Sequence, residues 1–131
     1  MQKTALAITM TTLLATAAQA QQTMVETYHQ DGAEVRVVLH PFLTDEETMT
    51  LRLVGQTPEA LALFVSEGPG FSAMAVAPEE GLVRDGAPVA SAIALSGVES
   101  ADTARQAATE ACDAARSTNT PCAVVLEVAP R

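Results

Sequence analysis

Tryptophan is absent from this chain, and Tyr28, Phe42, Phe64 and Phe71 are its only aromatic residues. Large rings therefore cannot build the core, and that work falls to alanine and the branched aliphatics. Lysine occurs once, at position 3. Beyond it stand six arginines against sixteen acidic residues, a formal charge of 6 − 16 = −10. Nucleic acid and anionic lipid both need cationic side chains to displace counterions, so neither is expected as a partner. Such acidity keeps an exported chain soluble. Neither a G-x-S-x-G elbow, an H-E-x-x-H pair nor a phosphate-cradling glycine loop is present.

The one long apolar stretch opens the chain: "MQKTALAITMTTLLATAAQA". Lys3 supplies a positive start and Ala5 to Ala18 an apolar centre. Ala18-Gln19-Ala20 offers the small residues that a signal peptidase accepts, which predicts a cut between Ala20 and Gln21. The stretch falls short of the roughly 18–20 apolar residues that span a bilayer, and no cysteine follows the cut to carry a lipid. The chain is thus expected to be exported, periplasmic or secreted. Residues 1–20 form its signal peptide, and residues 21–131 a single domain of 131 − 20 = 111 residues without a membrane span.

Residues 21–32 are polar and without sustained period, and read as an extended or frayed lead-in. "EVRVVLH" alternates, with Val35, Val37 and Leu39 on one face, and Pro41 stops it. "TMTLRLV" repeats the alternation through Met49, Leu51 and Leu53, which favours a strand. Thr44-Asp45-Glu46-Glu47 competes as a helix capping box. "ALALFVS" reads as another strand, with Thr57-Pro58-Glu59 as a possible helix start, so residues 44–66 are either all strand or include a short helix. "FSAMAVA" and "VASAIAL" follow as strands, separated by a turn-rich loop over 78–88. "SADTARQAATEACDAAR" is a helix, capped by Ser100, with Ala101, Ala104, Ala108, Ala111, Cys112 and Ala115 in one stripe. "CAVVLEV" closes the chain as a strand.

A helix with an alanine stripe must lie close on its partner. Ala73, Ala75 and Ala77, then Ala90, Ala92 and Ala94, supply small residues to receive it. Eighteen of the nineteen alanines beyond the signal follow residue 59. The expected fold is α+β: an antiparallel sheet of about five or six strands with one C-terminal alanine-rich helix on one face.

Cys112 lies on the helix's buried stripe, and Cys122 opens the last strand. The short polar link "RSTNTP" returns one beside the other, and in an exported chain two such thiols pair as a disulfide. Neither C-x-x-C nor a four-ligand zinc spacing is present, and no base neighbours either cysteine. Among other candidates, His40 is the better placed of the two histidines. Asp45-Glu46-Glu47 and Glu79-Glu80 are acidic groups that read as solvated turns, lacking the alternation of a calcium loop. Arg84-Asp85-Gly86 tips a loop, where binding residues often sit, but an Asp-Gly turn needs no ligand to explain it. No catalytic, cofactor or metal residue is assigned.

From Phe71 to Val128 the chain resembles a family of small exported bacterial domains of unknown function. The resemblance rests on a strand pair ("FSAMAVA", "VASAIAL"), an alanine-rich helix with one cysteine ("ARQAATEAC") and a C-x-V-V strand ("PCAVVLEV"). It implies the export and the α+β fold, and brings no activity. Similar chains sometimes carry the label 5-aminolevulinate synthase, a pyridoxal-phosphate enzyme. That cofactor needs a Schiff-base lysine, and none remains once Lys3 is removed, so this activity is rejected. The expected function is a non-catalytic accessory or binding module of the cell envelope, engaging an envelope protein or a small ligand. The alternative is a small hydrolase or metal-dependent enzyme assembled only in three dimensions.

Overall fold

Two Asp-Gly pairs place positive φ at consecutive residues: Asp31 at 48° with Gly32 at 84°, and Asp85 at 55° with Gly86 at 76°. That is the backbone of the two-residue turn matching the twist of a β-hairpin. In the computed structural model, which describes residues 22–66 and 68–130, each pair joins two antiparallel strands. The first joins β1 (Met24–Gln30) to β2 (Ala33–Leu39), and the second joins the two-residue β4 (Val83–Arg84) and β5 (Ala87–Pro88). Residues 1–20 and the Ala20–Gln21 cut lie outside the described residues.

Within the polar lead-in expected over 21–32, residues 24–30 are therefore a strand. Its polar residues have partners. Glu26 accepts hydrogen bonds from Tyr28 Oη and Arg52 Nε, at 2.7 and 2.9 Å. Gln30 Nε2 donates to the carbonyls of Val54 and Gly55, at 2.8 and 2.7 Å. The strand is polar because it meets the arginine and the carbonyl end of a helix rather than an apolar layer.

That helix is α1 (Asp45–Gln56), and it overturns the strand expected over 48–54. The capping box forms in both directions: Glu47 N donates to Thr44 Oγ1 and Thr44 N to Glu47 Oε1, each at 3.1 Å. The buried side is Glu47, Leu51, Val54 and Gly55, a helical spacing. Met49 and Leu53, two of the three residues in the apparent strand face, are 68% and 54% exposed. Tyr28 explains Gly55, since a Cβ there would lie 2.4 Å from the tyrosine ring. Pro58 forces Thr57 into extended backbone and ends α1, then opens α2 (Pro58–Ala62) in place of the strand expected over 60–66.

The remaining elements are β3 (Phe71–Val76), β6 (Ile93–Val98), α3 (Ala101–Ala115) and β7 (Ala123–Ala129). The fold is α+β, with a five-stranded antiparallel sheet ordered β1-β2-β7-β3-β6 and a separate β4-β5 ribbon. β6 starts at Ile93, because Val89 to Ala92 form a turn closed by Ala92 N on Val89 O.

Helices cover both faces of the sheet. β3, buried from Ser72 onward, shows why. Met74 and Val76 join Val35, Val37, Leu39, Leu51, Val54 and Leu126 in an aliphatic layer beneath α1. Ala73, Ala75 and Ala77 face Ala104, Ala108 and Cys112 of α3. The small residues expected at 92 and 94 lie instead against the aliphatic layer, and it is Ile93 that packs toward α3. β2 and β3 run parallel, as do β6 and β7, each pair separated by one strand. The two crossovers advance in equivalent senses over opposite faces, so they have opposite hands. One of them departs from the usual right-handed rule.

A bulge in β7 sets which face its residues reach. Met74 pairs with Leu126 but Ala75 with Val124, leaving Val125 extra. Val125 and Leu126 both enter the aliphatic layer, and Cys122 emerges on the α3 side. Strict alternation from Leu126 would have placed Cys122 on the wrong face.

Candidate functional site

A cleft of about 380 Å³ lies at the end of the sheet where β1 turns into β2. Its walls are the Asp31 turn, α2, Ser66, Gly68 and Gly70, and its floor includes Leu61, Val65 and Val128. Each wall follows from a local rule. Asp31 is held in left-handed backbone by its hairpin turn. Pro58 and Thr57 fix the start of α2, and Val65 N bonds Leu61 O to bring the chain round. Gly70 has φ of 102°, and a Cβ there would come within 2.8 Å of the Gly97 backbone, so that loop can only be seated by glycine. The volume lies at the small end of the range for ligand sites.

Several charged residues elsewhere hold elements together. Glu47 is the most buried of them, its side chain 1% exposed. It accepts from the backbone N–H of Leu82, of Val83 at 3.1 Å and of Thr44, and pairs with Arg84 Nη1 at 3.0 Å. Burial pushes its carboxyl up. The three backbone donors and the Arg84 guanidinium outweigh that and bring the pKa down to about 2. Gly81 must be glycine beside it, with φ of 78° and a Cβ position 2.6 Å from Glu47 Oε2. One carboxylate thus fastens the β4-β5 ribbon to the start of α1.

The acidic pair expected as solvated turns does similar work. Glu80 Oε2 accepts from Ser117 N and Thr118 Oγ1, at 3.1 and 3.0 Å, and Glu79 Oε1 accepts from Thr120 Oγ1. Burial raises the Glu80 pKa less than these donors, Thr118 first, lower it. Asp113 Oδ1 accepts from Cys122 N at 2.8 Å and Arg116 Nε at 2.9 Å, and its carboxyl is held low chiefly by the Cys122 N–H. The 117–121 link is therefore clamped from both sides where Cys112 and Cys122 form their disulfide, with Cα atoms 6.1 Å apart. Three carboxylates and one covalent bond serve a single turn.

His40 Nε2 lies 2.7 Å from the Val124 carbonyl, which can only accept, so that nitrogen carries the proton. Nδ1 meets Thr23 Oγ1 at 3.4 Å, and the ring stacks on Phe42 with centroids 5.0 Å apart. Its contacts tie β2 to β7. On the sheet side that α3 leaves open, Glu127 pairs with Arg36 Nη1 at 3.3 Å and with Arg105, which also pairs with Asp102. Hydrogen bonding to Glu127 raises the Arg105 pKa despite some burial. Among the described residues no group of three or more His, Cys, Asp or Glu side chains is arranged to hold a metal ion.

Of the residues singled out in the sequence, the structure brings Cys112 and Cys122 together. Arg84 joins Glu47, while Asp85 and Gly86 project as an exposed turn. The cleft residues Asp31, Leu61, Val65 and Val128 were not anticipated. Asp31-Gly32 between two extended stretches was the signal that could have found that wall, because it is a strong short-range hairpin mark. The α2 wall was hidden by its reading as a strand. No helix among the described residues is long and apolar enough to cross a membrane. Comparison with protein-family models, with curated proteins and with solved structures finds no match.

Proposed function

We propose that the protein is a small exported, non-catalytic binding module of the cell envelope, and that the cleft between the Asp31 turn and α2 is where it binds. The observation that carries this reading is a division of labour. Glu47, Glu79, Glu80, Asp113 and His40 each hold two elements together, while the cleft has a formed apolar floor that no element of the described fold fills. The disulfide supports export, because such bonds persist in oxidising compartments. The resemblance of residues 71–128 to small exported domains points the same way.

The experiment is amide chemical-shift mapping of the full-length protein with fractionated envelope extract, on wild type and an Ala62→Trp variant. Ala62 is an exposed wall residue, so the indole fills the cleft without entering the core. Saturable shifts centred on residues 30–33, 58–66 and 128 that vanish in the variant are expected. Turnover of the bound compound would overturn the non-catalytic reading, and shifts unaffected by Ala62→Trp would overturn the site.

A further inference from the structure

The geometry points to a lysine side chain of a basic partner protein as the occupant of this cleft. The inference rests on the cleft being the binding site and adds the chemistry of what enters it. Asp31 is the single charged residue among the described residues that line the cleft. It sits at the exposed rim, on a two-residue turn whose φ values of 48° and 84° fix where its carboxylate is carried. Behind it the floor is aliphatic, made by Leu61, Val65 and Val128. A lysine has the matching division: an apolar four-carbon stem that lies along hydrocarbon, and an ammonium that stays at the wet edge. A carboxylate-ended side chain would meet Asp31 with like charge, and a wholly apolar one would leave that charge unanswered.

The rest of the molecule favours the same partner. With a formal charge of −9 over the whole chain, its field draws basic surfaces and repels acidic ones before contact. The volume of about 380 Å³ suits one long side chain with the backbone that carries it, rather than a large cofactor. The floor is a packed wall of the fold, with Val65 buried, so the site is largely pre-formed.

Three peptides of the form Gly-Gly-X-Gly-Gly test this, with X as lysine, norleucine or glutamate, titrated into the full-length protein and followed by amide shifts. The lysine peptide is expected to shift residues 30–33, 61–66 and 128 saturably. Norleucine, which keeps the stem and lacks the ammonium, should bind about fivefold more weakly, as fits one exposed ion pair. Glutamate should not bind. Asp31→Asn keeps a residue that tolerates left-handed backbone and should reduce lysine to the norleucine level, as should high salt. Equal binding of lysine and norleucine, or an Asp31→Asn variant that binds lysine as wild type does, would overturn the lysine inference and leave the cleft as a site. Failure of all three peptides where an envelope component still binds, and is lost on Ala62→Trp, would overturn it equally. Failure of that component to depend on Ala62 would remove the site itself.

Discussion

The two faces of one sheet are built by opposite strategies, and β3 takes part in both. On the α1 side Met74 and Val76 meet leucines and valines, and bulk fills the space. On the α3 side Ala73, Ala75 and Ala77 meet Ala104, Ala108 and Cys112, and closeness replaces bulk. Burying an alanine methyl removes little apolar area from water, since stabilisation scales with area at about 25 cal/mol per Å². The alanine face gains less from transfer and more from contact, and it adds a covalent bond at one end. The aliphatic face is held at its edge by the Glu47 carboxylate and opens at its end into the cleft. The cleft thus opens on the face packed with large residues. The covalent staple sits on the alanine face.

The most disruptive way to break this contrast is to delete Val125. Leu126 and Cys122 are then three residues apart in a regular strand, so Cys122 stays on the α3 side. The aliphatic layer loses a buried valine, about 1.5–3 kcal/mol. A lowered denaturant midpoint and no titratable thiol in non-reduced protein are expected. Two free thiols would show that the bulge itself, rather than the pairing of Val124 with Ala75, carries Cys122 to its face.

Cys112→Ala with Cys122→Ala is next. In the chain-entropy model a loop this short contributes somewhat under about 3 kcal/mol. Asp113, Glu79 and Glu80 still clamp the link, so the double variant should keep the native spectrum at low temperature while melting well below wild type. Chemical reduction of the wild type should give the same shift. Denaturant melts with and without reductant measure it, and a reduced link that loses its native amide shifts at low temperature would show that the carboxylates do not hold it.

Ala108→Leu sharpens the contrast between closeness and bulk. At a fully buried alanine facing β3, the added carbons have nowhere to go, and overpacking of about 2 kcal/mol is expected. Ala60→Leu, half-buried against the aliphatic layer, is the paired change and should be near neutral. Equal costs in denaturant unfolding would mean that the two faces are packed alike.

The alanine side was the more legible in the sequence, and the contrast explains why. Helix α3 follows from its Ser100 cap and its stripe, and the disulfide follows from Cys112 on that stripe with a short link to Cys122. Local chemistry decides those elements. The α+β class and the five-stranded count were also legible, yet two of the strands expected over 44–66 are helices and β1 came from a stretch read as lead-in. In "TMTLRLV" the period-two signal of Met49, Leu51 and Leu53 competed with the stripe of Glu47, Leu51 and Val54. A charged residue was not credited as a core position. Its burial depends on N–H groups of Leu82 and Val83, 35 and 36 residues away, which no local pattern announces. The cleft was illegible for the same reason: its walls come from residues 31, 58–62, 66, 68 and 70, joined only by the fold. The alternation of Glu26, Tyr28 and Gln30 beside Asp31-Gly32 was readable as a strand but is polar on both faces, so hydrophobic pattern alone passed over it.

Glu47 offers the finest test of the aliphatic side, because its contribution can be switched by pH. Its folded pKa of about 2 lies below the ordinary value of 4.5, so the folded state binds its proton less readily than the unfolded one. A depressed carboxyl contributes stability that is fully present above the unfolded pKa and is lost as pH falls through the folded pKa. The window therefore runs from about pH 4.5 down to about pH 2, and the shift caps the contribution at about 3 kcal/mol. Glu47→Gln at neutral pH should cost less than that cap, about 1.5 kcal/mol. The amide oxygen still accepts from Leu82 and Val83, while the charge, the Arg84 pair and the bond from Thr44 N are lost. The difference between wild type and variant should then shrink through the same window, since protonated Glu47 is also neutral. Ala substitution would leave both backbone donors buried without a partner and should cost more than Gln at every pH. A difference between wild type and Gln that stays flat from pH 6 to pH 2 would show that the carboxylate is not ionised in its pocket. In that case the ribbon would be fastened by shape rather than by charge.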